Sequence, residues 1–311
     1  MLRPDDLYEI VDESVASGPE APPRVLIHAL DGFMDAGQAG RTTAEHLLEV
    51  LDARLLARFD IDLFHDYRAR RPEVTFAEDR FIDYTPAHLS LHVLTDDAGV
   101  EFLLLEGAEP DVHWERFARA VRQLIDRYNV TLTVGVHGIP MAVPHTRPLG
   151  LTAHATRPEL VTRTNIWSGE MRLPASVSTM LQVRLGEAGR DAMGFAVHVP
   201  HYLAENRFPG AALALVHAVS AATGLLLPSK ALLDEAAVTG KLVDQQVEES
   251  EEATAVVRAL ETQYDAAAGS ISRGSLLATE SLPSGEELSA QVEQFLADLD
   301  RDEGPEGESP A

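Results

Sequence analysis

The chain contains no cysteine and only two lysines among its 311 residues. Without cysteine it can form neither a disulfide framework nor a thiolate nucleophile, so the cytoplasm is the expected location. Positive charge is also scarce. The chain has 25 Lys and Arg but 50 Asp and Glu, which gives a formal net charge of −25. Nucleic-acid binding depends on basic side chains that neutralise phosphates, so this composition argues against nucleic-acid partners.

Long apolar runs are equally scarce. The longest, residues 210–227, is rich in alanine and carries His217, Ser220 and Thr223 between two flanking prolines. This pattern predicts a buried core helix rather than a membrane span. The first residues, MLRPDDLYEI, lack the apolar region of a secretory signal, so neither export nor a membrane association is expected.

Short apolar segments alternate with longer amphipathic ones along the first 228 residues. The predicted strands are residues 25–30, 54–60, 130–137 and 191–198, and the predicted helices are residues 36–51, 111–128, 174–189 and 209–224. Residues 89–95 and 100–106 flank the turn Asp96-Asp97-Ala98-Gly99 and predict a hairpin. The pattern therefore predicts an α/β fold with a mixed central sheet and helices on both faces.

The composition changes after Pro228 and divides the chain into three predicted regions. Residues 1–228 form the α/β core, and residues 229–268 form a polar, acidic helical extension. Residues 269–311 comprise a Ser/Gly-rich linker, a short amphipathic helix at 288–299 and an acidic tail that we expect to be disordered.

The turn after the first strand, DGFMDAGQAG, has two glycines at the spacing of a phosphate-binding P-loop. A P-loop continues with Lys and Ser or Thr, whereas Gln38 and Ala39 occupy these positions. Asp35 would also repel phosphate. We therefore interpret Asp35 as the N-cap of the next helix, with Gln38 completing a capping box. A ligand-binding loop remains the alternative, because α/β folds bind ligands at the carboxyl ends of their strands.

Three chain segments are expected to meet at that edge of the sheet. They are the opening turn and the segments that follow the strands ending near His137 and His198. The candidate ligand- or partner-binding rim consists of Gly32, Asp35, Gly37, His137, Gly138, Pro140, His145, Arg147, Arg157, His201 and Tyr202. Arg147 and Arg157 either form an anion pocket or pair with carboxylates of this chain or another subunit.

No catalytic constellation can be assigned from the sequence. Ser168, Ser176 and Ser178 lie outside any G-x-S-x-G elbow. The twelve histidines include His198 and His201, but no cysteine or HExxH motif accompanies them. We therefore predict no catalytic residue, no metal site and no cofactor.

Four segments in order, HALDGFMDAGQAG, HGIPMAVPHTRP, TAHATRPEL and FAVHVPHYL, resemble the proteasome assembly chaperone 2 family. The similarity is closest to its bacterial, actinobacterial-type members and covers residues 24–265. It implies a phosphorylase/hydrolase-like α/β core, self-association, with a trimer as one possible state, and a protein-binding role. The archaeal-type assembly factors dock through a C-terminal hydrophobic-Tyr-X tail. This sequence ends Glu-Ser-Pro-Ala, so such docking is not expected.

The leading hypothesis is a non-catalytic, self-associating factor that binds another protein. The alternative is a small-molecule enzyme or anion binder that uses the rim at the carboxyl ends of the strands.

Overall fold

The computed structural model describes residues 6–162 and 170–274, with only the backbone described for residues 268–274. The chain divides into two units, Met1–Thr262 and Gln263–Ala311. The described part of the second unit is the end of the last helix, and the architecture below belongs to the first unit.

Ten strands and six α-helices make up the described chain. The strands are β1 Tyr8–Ile10, β2 Arg24–Asp31, β3 Asp52–Phe59, β4 Thr75–Ala77, β5 Arg80–Ile82, β6 Leu89–Thr95, β7 Glu101–Ala108, β8 Val130–Met141, β9 Leu151–Ala155 and β10 Ala192–Pro200. The helices are α1 Ala39–Val50, α2 Trp114–Arg127, α3 Val177–Glu187, α4 Pro209–Thr223, α5 Lys230–Glu248 and α6 Glu251–Gly274.

Eight strands form one mixed sheet in the order β1-β3-β6-β7-β2-β8-β10-β9. The four central strands, β7, β2, β8 and β10, are parallel, whereas β1, β3, β6 and β9 pair antiparallel with their neighbours. The central strands therefore end together at one edge of the sheet, as predicted. Strands β4 and β5 form a separate hairpin.

Side-chain alternation along β2 shows how the sheet is covered. Ile27 and Ala29 belong to the hydrophobic core shared with α1, α4 and α5, whereas Leu26 and Leu30 belong to the core shared with α2 and α3. Successive strand residues point to opposite faces. The sheet thus has helices on both faces, which confirms the predicted fold class.

The four predicted strands, the four predicted core helices and the 89–106 hairpin are all present, with ends shifted by a few residues. Strands β1, β4, β5 and β9 were not predicted. Three of these strands have three residues each, and β9 carries Thr152 and His154 between apolar positions. Helix α4 is the predicted core helix, and no described helix is long and apolar enough to cross a membrane.

Helix α6 continues to Gly274, so the predicted linker is wrong for residues 269–274. The run Ala266-Ala267-Ala268 that precedes them favours helix, which outweighs the Ser and Gly that follow. The predicted helix at 288–299 and the acidic tail lie outside the described residues.

Ser176 begins α3 with a capping box that the sequence analysis missed. Its hydroxyl accepts the Thr179 backbone N–H, and the Thr179 hydroxyl accepts the Ser176 backbone N–H. We expect Ser176→Ala to lower the free energy of unfolding by about 1 kcal/mol, measured by urea denaturation. Ser178→Ala, at the second residue of α3, is the matched control and should change stability by less than about 0.5 kcal/mol. Equal losses in both variants would contradict this role for the cap.

Candidate functional site

The Asp35 carboxylate joins the opening loop to two other elements. One oxygen accepts the backbone N–H groups of Gly40 (2.8 Å) and Gly138 (2.9 Å), and the other accepts that of Arg41 (3.0 Å). Gly40 and Arg41 lie in the first turn of α1, whereas Gly138 lies on β8. Asp35 therefore satisfies helix N–H groups that have no intrahelical partner and also fixes the helix to the central sheet.

The prediction that Asp35 is the N-cap residue in a capping box with Gln38 was wrong in its details. The N-cap of α1 is Gln38, whose backbone is left-handed (φ 50°), and no side-chain capping bond forms at that residue. A short 3-10 turn, Ala36–Gln38, separates Asp35 from the helix. Asp35 still caps α1, but its carboxylate reaches across this turn.

Two glycines permit this close contact. A Cβ at Gly138 would lie 2.0 Å from the carbonyl oxygen of Ala36, so only glycine fits on β8 beneath the loop. Gly37 has φ +68°, donates its N–H to the Ala204 carbonyl (2.6 Å) and accepts the Phe208 N–H (2.9 Å). The N–H groups of Gly37, Gly40 and Arg41, in the region where a P-loop holds phosphate, are therefore bonded within the chain.

The carboxylate of Asp35 is largely removed from water. Burial raises its pKa above the usual range, and its three backbone N–H partners act in the opposite direction. Because a buried polar group is stable only when its hydrogen bonds are satisfied, each of these amides matters for the fold.

A second buried carboxylate, Glu109, holds the other side of the loop. It accepts the backbone N–H of Phe33 (2.7 Å) and that of Val177 (2.6 Å) at the start of α3. A Cβ at Gly32 would collide with Glu109, which explains this glycine. The Arg70 guanidinium donates to the carbonyl oxygens of Asp31 and Glu109. Glu109 and Arg70 were not predicted, because neither belongs to a motif and their partners are distant in sequence.

The segment after β8 is connected to the C-terminal helices. The His145 backbone N–H donates to the Tyr202 hydroxyl (2.9 Å), which lies 2.7 Å from His145 Nδ1. His145 Nε2 lies 3.1 Å from the Asp244 carboxylate on α5, and Arg147 pairs with Glu261 on α6 at 3.1 Å. Thus α5 and α6 are held against the carboxyl edge of the sheet.

Most of the predicted rim residues lie together, but two do not. Gly32, Asp35, Gly37, Gly138, Pro140, His145, Arg147, His201 and Tyr202 are at the carboxyl ends of the parallel strands or in the segments that follow them. Arg157 is instead near the amino end of β10, where it pairs with Asp191 through bonds of 2.7 and 2.6 Å. Of the two predicted alternatives for Arg157, an anion pocket or a pair with a carboxylate, the ion pair with Asp191 is the second.

His137 also departs from the predicted rim, because β8 continues to Met141 and alternation directs its side chain to the α2/α3 face. There it joins His28 of β2 and His154 of β9, and the rings of His137 and His154 are 6.2 Å apart. Burial, reinforced by the neighbouring histidines, lowers the pKa of His28 to about 3. Burial and His154 lower the pKa of His137 to about 4. We call His28, His137 and His154 the histidine cluster.

A different histidine pair lies on the opposite face. His88 and His92 place their Nε2 atoms 2.9 and 3.0 Å from the Glu106 carboxylate. Burial raises the pKa of Glu106, but bonds to the two histidines outweigh it and lower the pKa to about 2. No group of three or more His, Cys, Asp or Glu within residues 6–162 and 170–274 is arranged to hold a metal ion.

Removing the Asp35 carboxylate leaves three backbone N–H groups without their acceptor. We expect Asp35→Ala to lower the free energy of unfolding by about 2–3 kcal/mol, and Asp35→Asn to lower it less because one oxygen remains. The measurement is urea denaturation. The control is Asp31→Asn, which changes an exposed carboxylate at the end of β2 and should cost less than about 0.5 kcal/mol. A small loss for Asp35→Ala would show that water replaces the carboxylate.

The lowered pKa values of His28 and His137 predict that the folded protein loses stability in acid. The unfolded chain binds protons on these histidines from about pH 6.5 downward, whereas folded His28 does so only near pH 3. The free energy of unfolding should therefore fall as pH decreases through this window, by up to about 1.4 kcal/mol per pH unit for each histidine.

Urea denaturation between pH 7 and pH 4 tests this expectation. The free energy of unfolding should change less steeply with pH in His28→Gln than in the wild type. The control is His201→Gln, a substitution at an exposed rim residue. Equal slopes in all three proteins would show that the cluster does not contribute to acid sensitivity.

Comparison with known proteins places this geometry in a family. The PAC2 family model matches residues 29–247. A Mycobacterium tuberculosis protein of unknown function is 43% identical over 89% of this chain and 95% of its own, with a TM-score of 0.83. A Corynebacterium glutamicum protein of unknown function is 38% identical over 84% of this chain and 97% of its own, with a TM-score of 0.78.

The fold is also shared with a Mycobacterium tuberculosis proteasome-assembly chaperone homologue. It is 23% identical over 75% of this chain and 99% of its own, with a TM-score of 0.68. No curated protein matches the chain. The family model covers more than half of the sequence, including Asp35, Gly138 and Tyr202. The chain belongs to the PAC2 family.

Proposed function

We propose that this protein is a non-catalytic, self-associating factor that binds another protein and assists its assembly. The observation that carries the proposal is the β4–β5 hairpin. Phe76 and Phe81 are 61% and 72% exposed although their rings lie 5.1 Å apart, and Tyr84 beside them is also exposed. Exposed aromatic side chains grouped in this way are typical of protein–protein contact surfaces.

The family supports the same role. One protein of this fold is a proteasome-assembly chaperone homologue. Proteasome subunits are therefore the first partners to test.

The rim gives less support to the alternative of an enzyme or anion binder. The Asp35 carboxylate already occupies the amides at the start of α1, and Arg147 is engaged by Glu261. Arg157 lies at the other end of β10. An anion at the rim would have to displace carboxylates of the chain itself. The hydrogen bonds lost would be those of charged groups, which are stronger than bonds between neutral groups.

Self-association through the hairpin can be measured by sedimentation velocity. We expect the wild type to sediment as an oligomer and the double variant Phe76→Ser/Phe81→Ser to sediment as a smaller species with an unchanged melting temperature. Leu242→Ser removes an equally exposed apolar side chain from α5 and should keep the oligomer. An oligomer that survives the hairpin substitutions would exclude this surface as the contact.

The partner is tested by reconstitution with purified proteasome α and β subunits of the same organism. We expect the wild type to bind the subunits and to accelerate formation of the assembled particle over minutes to hours. Binding should weaken at least tenfold in the hairpin variant if this surface also contacts the partner. Absence of binding by the wild type, together with turnover of a small molecule, would contradict the proposal.

A further inference from the structure

The histidine cluster lies away from the rim, on the face of the sheet that α2 and α3 cover. Each outer histidine lies over a glycine of the neighbouring strand. A Cβ at Gly135 would be 2.6 Å from Cε1 of His28, and a Cβ at Gly194 would be 2.4 Å from Cε1 of His154. Gly135 and Gly194 are themselves paired across β8 and β10. The two glycines thus let the imidazoles of His28 and His154 extend toward each other.

The cluster contains hydrogen-bonding capacity that the described chain does not use. His28 is 4% exposed, and its Nδ1 is buried without a hydrogen-bond partner. Buried polar atoms are nearly always satisfied, so an unpaired one requires an explanation. His137 and His154 retain partial exposure, which gives the cluster access to solvent.

Gln182 of α3 sets the proton position on His154. Its Oε1 lies 2.5 Å from Nδ1 of His154 and can only accept, so Nδ1 carries the hydrogen. Nε2 of His154 is then an acceptor when the ring is neutral and becomes a donor only after protonation. Burial lowers the pKa of His154, and the bond to Gln182 acts in the opposite direction because it stabilises the protonated ring.

Within the described residues, none of the three rings is hydrogen-bonded to a carboxylate. The charges that act on His28 and His137 are those of the other histidines. On the elements packed around the cluster, Glu109 is bonded to backbone amides, and Asp191 is paired with Arg157. At the surface, Arg184 of α3 pairs with Glu187 and with Glu115 of α2, and Asp126 of α2 pairs with Arg190.

We propose that the histidine cluster binds a small oxyanion, a carboxylate or a phosphate, together with one proton that His154 takes up on Nε2. The ligand oxygens accept hydrogen bonds from imidazole N–H groups, while Nδ1–H of His154 continues to donate to Oε1 of Gln182. The ligand arrives as a monoanion, a carboxylate or dihydrogen phosphate, and one proton comes from solvent, so the occupied site carries no net charge.

An anion fits this arrangement better than a metal ion. The rings of His137 and His154 are 6.2 Å apart, and within the described residues no group of three or more His, Cys, Asp or Glu is arranged to hold a metal ion. An oxyanion is several ångströms wide and can bridge donors at such separations, whereas zinc requires nitrogen ligands about 2.0–2.1 Å from one centre. In a chain of net charge −25, rings that are not bonded to a carboxylate repel an anion less than the many acidic groups do.

Isothermal titration calorimetry with acetate and with inorganic phosphate, at pH 6.0 and pH 7.5, tests the proposal. We expect binding of at least one probe, with an affinity that rises about tenfold for each unit decrease in pH because one proton is taken up. A preference for acetate or phosphate distinguishes the two sources of the oxyanion. Affinity that is independent of pH would overturn the proton-coupled site.

His154→Gln should lose the pH dependence and weaken binding at least tenfold, whereas His201→Gln at the rim should bind as the wild type does. Should His154→Gln fail to fold, 15N spectra of the wild-type imidazoles provide the same test. The anion should convert one histidine, bonded through Nδ1, from the neutral to the doubly protonated form. Unchanged imidazole signals with either probe, or signals that respond only to Zn²⁺, would overturn the proposal.

Discussion

The bridging of Gly40, Arg41 and Gly138 by one buried carboxylate is the constraint on which the candidate site depends. Asp35 follows β2, its helix partners open α1, and its third partner lies on β8, 103 residues further along the chain. A helix N-terminus ordinarily attracts anions because its first N–H groups lack partners and its dipole is positive there. Here the chain supplies its own anion, so this end of α1 serves the fold.

This internal anion explains how the same glycine spacing can belong to a nucleotide site in one protein and to a structural turn here. The spacing of Gly32 and Gly37 permits a tight turn in both cases. The function of the turn depends on which group accepts the hydrogen bonds of its backbone amides. Here the acceptor is the Asp35 carboxylate of the turn itself. The contacts of Gly37 with Ala204 and Phe208 then bond the loop to the segment after β10. The rim is consequently a set of mutually satisfied backbone groups.

Charge in the molecule is arranged by pairing. Arg157 forms a two-point pair with Asp191, Arg147 pairs with Glu261, and buried Arg24 pairs with Glu101 at 2.7 Å. Exposed pairs contribute little to stability, commonly below about 1 kcal/mol each. Their effect is to fix which acidic helix lies against which arginine. In an acidic chain such pairing is selective, because a carboxylate without an arginine partner would be repelled by the other acidic groups.

Local patterns predicted much of the fold, whereas the site depended on long-range contacts. The alternation of apolar segments predicted the central strands and core helices, and Asp35 was recognised as a capping side chain. Its bond to Gly138 could not be predicted, because nothing in either segment encodes their pairing. The misplacement of Arg157 has a specific cause. The antiparallel strand β9 was not predicted, and it returns the chain to the amino end of β10 before Arg157 is reached.

His137 was misplaced for a related reason, and the correction connects the two sides of the sheet. Strand β8 extends four residues beyond its predicted end, so alternation controls where Gly138 and His137 point. Gly138 faces Ala36 and bonds to Asp35, whereas His137 belongs to the histidine cluster and Gly135 lies beneath His28. Neither glycine leaves space for a side chain, so β8 cannot shift by one residue without breaking both arrangements. The register of this one strand therefore determines the geometry of the rim and of the cluster together.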